Sequence, residues 1–206
     1  MRLQFQVLVL AAVTGLSFGQ SGSGSVVEVY VSDRDDSALL LGPEAKAVTS
    51  GIFEGIGIRL KWRHGELQGT EVGPAFGIRT VARAPESATA IALASAEVLG
   101  SSGAIMLYKE RVRRLLADHP TLQGAAAGYV LAHELAHVMQ GIPQHSESGI
   151  LKAQWSGDDF KQMVLHKLAF TTLDVELIHE GLALRRTNRR SDAESGGPAL
   201  SSSTRK

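Results

Sequence analysis

Residues 133–145 read HELAHVMQGIPQH, three histidines and a glutamate at the end of the apolar, alanine-rich run GAAAGYVLAHELAHVMQ. A polar side chain without a partner in an apolar interior costs on the order of a few kcal/mol, so polar groups crowded here call for a shared partner, and a metal ion is the obvious one. In a helix, residues four apart lie on one face, about 6 Å along the axis. His133 and His137 can therefore aim ring nitrogens at a single ion. Glu134, about 100° further round, cannot bind in the same way, but its carboxylate can reach a water on that ion. Two neutral imidazoles hold zinc without cancelling its charge, and a neighbouring carboxylate takes the proton of the activated water. That chemistry is metal-assisted hydrolysis. A catalytic zinc ordinarily has three protein ligands and one open position. Gly141 can end the helix in the left-handed conformation, and Ile142 and Pro143 keep the chain extended, so that His145 can return to the ion.

This segment resembles the metzincin metalloproteases, whose signature is HExxHxxGxxH followed shortly by a turn containing methionine. The chain has HExxHxxxGxxxH, one residue more before the glycine and one more after it. The run HSESGIL (145–151) is similar to the matrix-metalloprotease-like run of His-Ser, a few residues, then an apolar pair ending in Met. Leu151 stands where that Met is expected and keeps apolar bulk there. The resemblance implies one catalytic zinc ion held by His133, His137 and His145, with Glu134 as general base. It also implies an α+β, metzincin-like zincin domain with a small mixed sheet, a long active-site helix and a helical C-terminal part. A carboxylate competes for the third ligand place, since another metalloprotease group, exemplified by thermolysin, pairs HExxH with a Glu on a later helix. Glu176 and Glu180 in DVELIHEG stand at a workable distance, and Glu147 is nearer; a solvated helix face is the plainer reading of the first two. His64 and His119 read as surface residues, and His166 and His179 as packing or surface residues of C-terminal helices.

The elements that must position these groups follow from period and punctuation. Residues 26–32 (VVEVYVS), 56–62 (IGIRLKW), 76–83 (FGIRTVAR) and 104–108 (AIMLY) read as strands. Residues 43–55 open with Pro at a plausible first helical position. Residues 90–103 fit either a strand and loop or a small helix. KERVRRLLADHP is helical up to Pro120, with Arg111, Arg113 and Arg114 as a solvated basic face. Thr121 is a fair N-cap for a long helix through Gln140, ended by Gly141 and Pro143. Helices are expected at 158–168 and 171–186. The site then falls between a sheet-bearing half and a C-terminal half.

The chain has 206 residues, enough for one domain with a sizeable core, and 44% apolar composition. Residues 1–20 have the pattern of a secretory signal peptide, one early Arg, an apolar centre and small residues near the cut. Residues 21–25 read as a Gly/Ser linker, 26–186 as the metalloprotease-like catalytic domain, and 187–206 as a polar, disordered tail. With 21 basic and 21 acidic residues, the charge balance gives no support to a nucleic-acid partner. No cysteine is present, which removes disulfides and thiolate ligands. No phosphate-cradling or serine-elbow motif occurs. These readings converge on a secreted or periplasmic zinc metalloendopeptidase acting on peptide or protein substrates, with no membrane association after signal cleavage. The alternatives are a zinc-binding module without turnover and a hydrolase of a non-peptide amide.

Overall fold

The computed structural model describes residues 24–32, 38–68, 71, 73–88, 92–99, 102–117 and 122–195. The expected signal peptide, most of the linker, His119 and Thr121 lie outside the described residues.

Valines at alternate positions of β1 (Ser25–Ser32) put Val27, Val29 and Val31 on one face, where all three are buried. β1 sits inside a five-stranded mixed sheet of order β2-β1-β3-β5-β4. It pairs in parallel with β2 (Ile58–His64) and β3 (Ala75–Val81), and β3 pairs in parallel with β5 (Ser102–Tyr108). At the edge, β4 (Ala94–Leu99) runs antiparallel to β5. Register aligns Val31, Ile78, Ile105 and Ala96 across four strands. The apolar row that floors the core thus ends, at the edge strand, on a small residue.

The helices are α1 (Ala38–Leu41), α2 (Pro43–Glu54), α3 (Lys109–Ala117), α4 (Gln123–Gln140), α5 (Gly157–Val164) and α6 (Thr172–Ser195); α2, α3 and α4 pack on the sheet, and α1, α5 and α6 pack on α4. The α+β expectation with a small mixed sheet is met. The ambiguous stretch at 90–103 contains a strand, β4, because its alternation can pair with the adjacent apolar β5. β2 begins two residues later than expected: the N–H groups of Ile56 and Gly57 bond back to Phe53 and Glu54 and stay in the turn that ends α2. α5 is shorter than expected, closed by His166 in the left-handed region at φ 51°. α6 corrects the reading of the tail. The helix runs to Ser195, so residues 187–195 are helical where composition suggested disorder. No Gly or Pro interrupts that polar stretch before Gly196, and its residues are tolerated in a helix. Residues 196–206 lie outside the described residues.

α4 is the central element, touching α1, α2, α3, α5, α6, β4 and β5. From Ala126 to Gln140 every residue but His133 and His137 is buried, and those two mark the one side left partly open. A helix apolar all round belongs in a core, and each fully buried Leu or Val on it contributes about 1.5–3 kcal/mol. Its small residues let α2 cross closely. A Cβ added at Gly128 would lie 2.7 Å from Cβ of Val48 and 2.9 Å from the Ala45 carbonyl oxygen. Thr49 Oγ1 donates at this crossing, shared between the carbonyls of Ala45 (2.7 Å) and Gly128 (3.0 Å). Gly128→Val is therefore expected to lower stability by about 1–3 kcal/mol through overpacking. The measurement is the urea midpoint; a midpoint equal to that of wild type would contradict the crossing.

Candidate metal centre

His133 and His137 sit one turn apart on the face of α4 that the other elements leave uncovered, and both are partly buried. Their Nε2 atoms lie 3.0 Å apart. Gly141 ends α4 with φ 77° and ψ 12°, and its N–H bonds to the His137 carbonyl. This left-handed cap sends the chain back over the helix end. His145 arrives exposed, its ring centroid 5.4 Å from that of His133 and 4.8 Å from that of His137. One ring nitrogen from each of the three residues falls within 4.8 Å of the others, close enough to hold a metal ion together.

His133 Nδ1 lies 2.8 Å from the Ile150 carbonyl oxygen. That contact places the proton on Nδ1 and leaves the Nε2 lone pair facing inward, as a backbone acceptor behind a ligating imidazole would. His137 Nδ1 is buried and makes no hydrogen bond of good geometry, although the Ile142 backbone favours its charged form. Burial pushes His133 down to about 4 and, with the neighbouring rings adding to the effect, His137 down to about 3. Both are neutral at pH 7, so two rings, each carrying a single N–H, face each other with their Nε2 atoms at contact distance. A nitrogen-rich donor set of this kind suits zinc among divalent ions, while the oxygen-seeking calcium and magnesium are poorly matched. By donor chemistry and convergence, the residues fit the ion.

Glu134 is 8% exposed and lines the same cavity as the three histidines. Burial pushes its carboxyl up to about 7, and a cation held by the rings would draw it back down. The cavity measures about 730 Å³. Its walls include Ala94 and Ala96 of β4, Leu115 of α3, Val130 of α4, and Ile142 and Trp155 from the loops beyond α4. Small side chains on the inner face of β4 leave the space that a larger pair would fill.

Glu147, Glu176 and Glu180 are exposed, and among the described residues the metal-competent group comprises the three histidines alone. His64 and His166 are exposed as well, whereas His179 is half-buried and contacts the Ile56 carbonyl at 2.9 Å. Arg113 and Arg114 are exposed as expected. Arg111 departs from the solvated-face reading: it donates to the Ala92 carbonyl at 2.7 Å and stacks over Tyr108, pinning the chain just before β4.

Leu151 is fully buried, as is Ile150, so the position expected for Met is occupied by apolar bulk. Three supporting residues escaped the sequence reading. Trp155 stands edge-on to His133 at 5.6 Å between centroids, and its Nε1 donates at 3.2 Å to the same Ile150 carbonyl. No local pattern marks it. Asp174, 2% exposed, takes hydrogen bonds from Gln140 and Ser146, on either side of the turn that brings His145 back. Arg185 is buried and donates to the carbonyls of Val138 and Met139 at the end of α4, a favourable place for a cation. Its spacing from Ile178 and Leu182 (i, i+4, i+7) puts it on the buried stripe of α6, which periodicity shows and composition hides.

No protein-family model matches the chain, and no curated protein does. Among solved structures the chain is similar to the crystal structure of an archaemetzincin from Methanopyrus kandleri, with 14% identity and a TM-score of 0.45 over 78% of this chain and 97% of that one. At that distance a likeness does not transfer chemistry; the site has to be read from its own side chains.

The loop that carries Trp155 is anchored by Asp159. Its carboxylate accepts from Lys152 Nζ (2.6 Å), from the Ser156 N–H (2.6 Å) and from Ser156 Oγ (2.7 Å), forming the capping box of α5. Burial opposes the charged form, but the bonds from Lys152 and Ser156 outweigh it and hold the Asp159 carboxyl below its ordinary value. A depressed carboxylate contributes stability above its unfolded pKa, near 4, and loses it as pH falls through the folded value. Asp159→Asn is expected to cost about 1 kcal/mol at neutral pH. Wild-type and variant denaturation midpoints should draw together as pH falls below 4 and meet once it has passed the folded value; a gap that persists there would refute this account.

Proposed function

We propose that the protein is a zinc-dependent metallopeptidase of metzincin-like zincin type, with His133, His137 and His145 holding one zinc ion and Glu134 as general base. The observation that carries this reading is the convergence of three ring nitrogens beside a buried carboxylate at the wall of an open cavity. Bound there, zinc supplies Lewis-acid polarisation of a carbonyl and acidifies water. The chain's own residues do the rest. His133, steadied by the Ile150 carbonyl, and His137 on the next turn present neutral nitrogen donors from a rigid helix. Glu134 accepts a proton from the attacking water, holds it in a site screened from bulk solvent, and returns it to the departing amine. β4 is the edge of the sheet, and an extended peptide can add to such an edge through main-chain bonds. Ala94 and Ala96, on the cavity side, leave room for the side chains such a peptide carries.

The endopeptidase preference belongs to the same proposal, as does secretion, which rests on the signal-like pattern of residues 1–20. A zinc-binding module without turnover is the second reading. Glu134 disfavours it, because a purely structural zinc closes its fourth position and needs no base.

Zinc content and peptide cleavage measured together on Glu134→Gln separate the two. The proposal expects zinc retained and cleavage reduced by about 10²–10⁴-fold; cleavage at the wild-type rate would remove Glu134 from the mechanism. Metal analysis of His145→Ala and Glu180→Ala decides the third ligand. Loss of zinc is expected in the first variant and full occupancy in the second, and the reverse would move the ligand to α6.

A further inference from the structure

His133 and His137 are placed by the packing of α4, but His145 is exposed and sits on a loop. Eight positions separate it from His137, two more than in the signature that the segment resembles. An exposed ligand on a longer loop has more conformational freedom to lose on binding an ion. Something must hold it, and both ends of its loop lead to one residue. Ser146, directly after His145, donates through Oγ to Oδ1 of Asp174. Gln140, directly before Gly141, reaches the Asp174 backbone carbonyl through Nε2 at 3.5 Å.

Asp174 is itself rigidly set. Its second carboxylate oxygen accepts from the Thr171 N–H at 2.8 Å, and Thr171 Oγ1 accepts in return from the Asp174 N–H at 3.2 Å. Reciprocal bonds of this kind begin a helix, and that role uses only Oδ2. Oδ1 goes to Ser146, which the start of α6 does not require. Ser146 is fixed on its other side, where its N–H donates to the Leu151 carbonyl at 2.8 Å.

We propose that Asp174, acting through Ser146, is the positioning residue for the third ligand: the Ser146–Asp174 bond holds the exposed His145 ring beside the other two. The proposal rests on the zinc reading given above. Removing an outer-shell partner of a metal ligand typically costs 10–100-fold in metal affinity.

The test is calorimetric titration of zinc into the metal-stripped full-length chain, with melting of the metal-free proteins alongside. Ser146→Ala removes the one contact without disturbing the start of α6. It should weaken zinc binding by about 10-fold, leave the metal-free melting temperature close to wild type, and have no further effect in a His145→Ala background. Ser146→Thr, which keeps the hydroxyl, should bind zinc nearly as wild type does. Unchanged affinity in Ser146→Ala, or an equal loss with and without His145, would overturn the proposal, because the effect would then not pass through His145. Wild type that takes up no zinc would sink the metal reading itself. A His145→Ala variant that binds as tightly as wild type would sink the third-ligand assignment. Either of these results would take this inference down too, and each is distinct from a failure confined to Ser146.

Discussion

Helix α4 is enclosed by apolar neighbours along most of its length, and into that setting the chain places two imidazoles and a carboxylate. Burial on this scale holds both imidazoles neutral and drives the carboxyl of Glu134 towards its protonated form. Each group therefore needs an internal partner or a shared ligand. One partner is visible in the Ile150 carbonyl, which accepts a hydrogen bond from His133 Nδ1 and leaves the ring's other nitrogen turned towards His137. The rest of the architecture can be understood as meeting the demand that this one buried polar stripe creates.

Two features meet it. On one side, the sheet ends at an antiparallel edge strand that turns Ala94 and Ala96 to the cavity, so the stripe opens onto that space and is not sealed beneath side chains. On the other, α6 grips the far end of α4. Arg185 takes the carbonyls that the left-handed turn at Gly141 leaves behind, and Asp174 holds the chain on both sides of the returning loop. A helix end satisfied in this way does not fray, and a loop tied at both ends does not wander. Rigid placement of donors before a ligand arrives lowers the ordering cost of binding it.

The same burial that makes the polar groups costly also gives the proposed chemistry its setting. Electrostatic interactions strengthen where water is scarce, so a cation held by the three rings would act strongly on the buried carboxyl of Glu134 beside them. Trp155 completes the enclosure. It shares the Ile150 acceptor with His133 and stands against the ring, so the wall of the cavity and the orientation of a ligand candidate depend on one carbonyl group.

Much of this was legible in the residues themselves. The four-residue spacing of His133 and His137, the glycine that ends their helix, and the valine alternation of β1 follow from local geometry: a helical turn, a left-handed cap and a pleat have fixed periods wherever they occur. Local period could not settle residues 94–99, whose strand exists because β5 lies beside it, nor residues 187–195, whose polar composition hid a continuing helix. It was silent on Asp174 and Trp155, and it could put Arg185 on a buried stripe without naming its partners, since what these side chains do depends on groups 28, 5 and 46–47 positions away. The sequence by itself determined which groups share a helical face and where that helix must turn. The tertiary structure decided that His145, and not Glu147, Glu176 or Glu180, meets that face, because only packing of the C-terminal half against α4 sets the path of the returning loop.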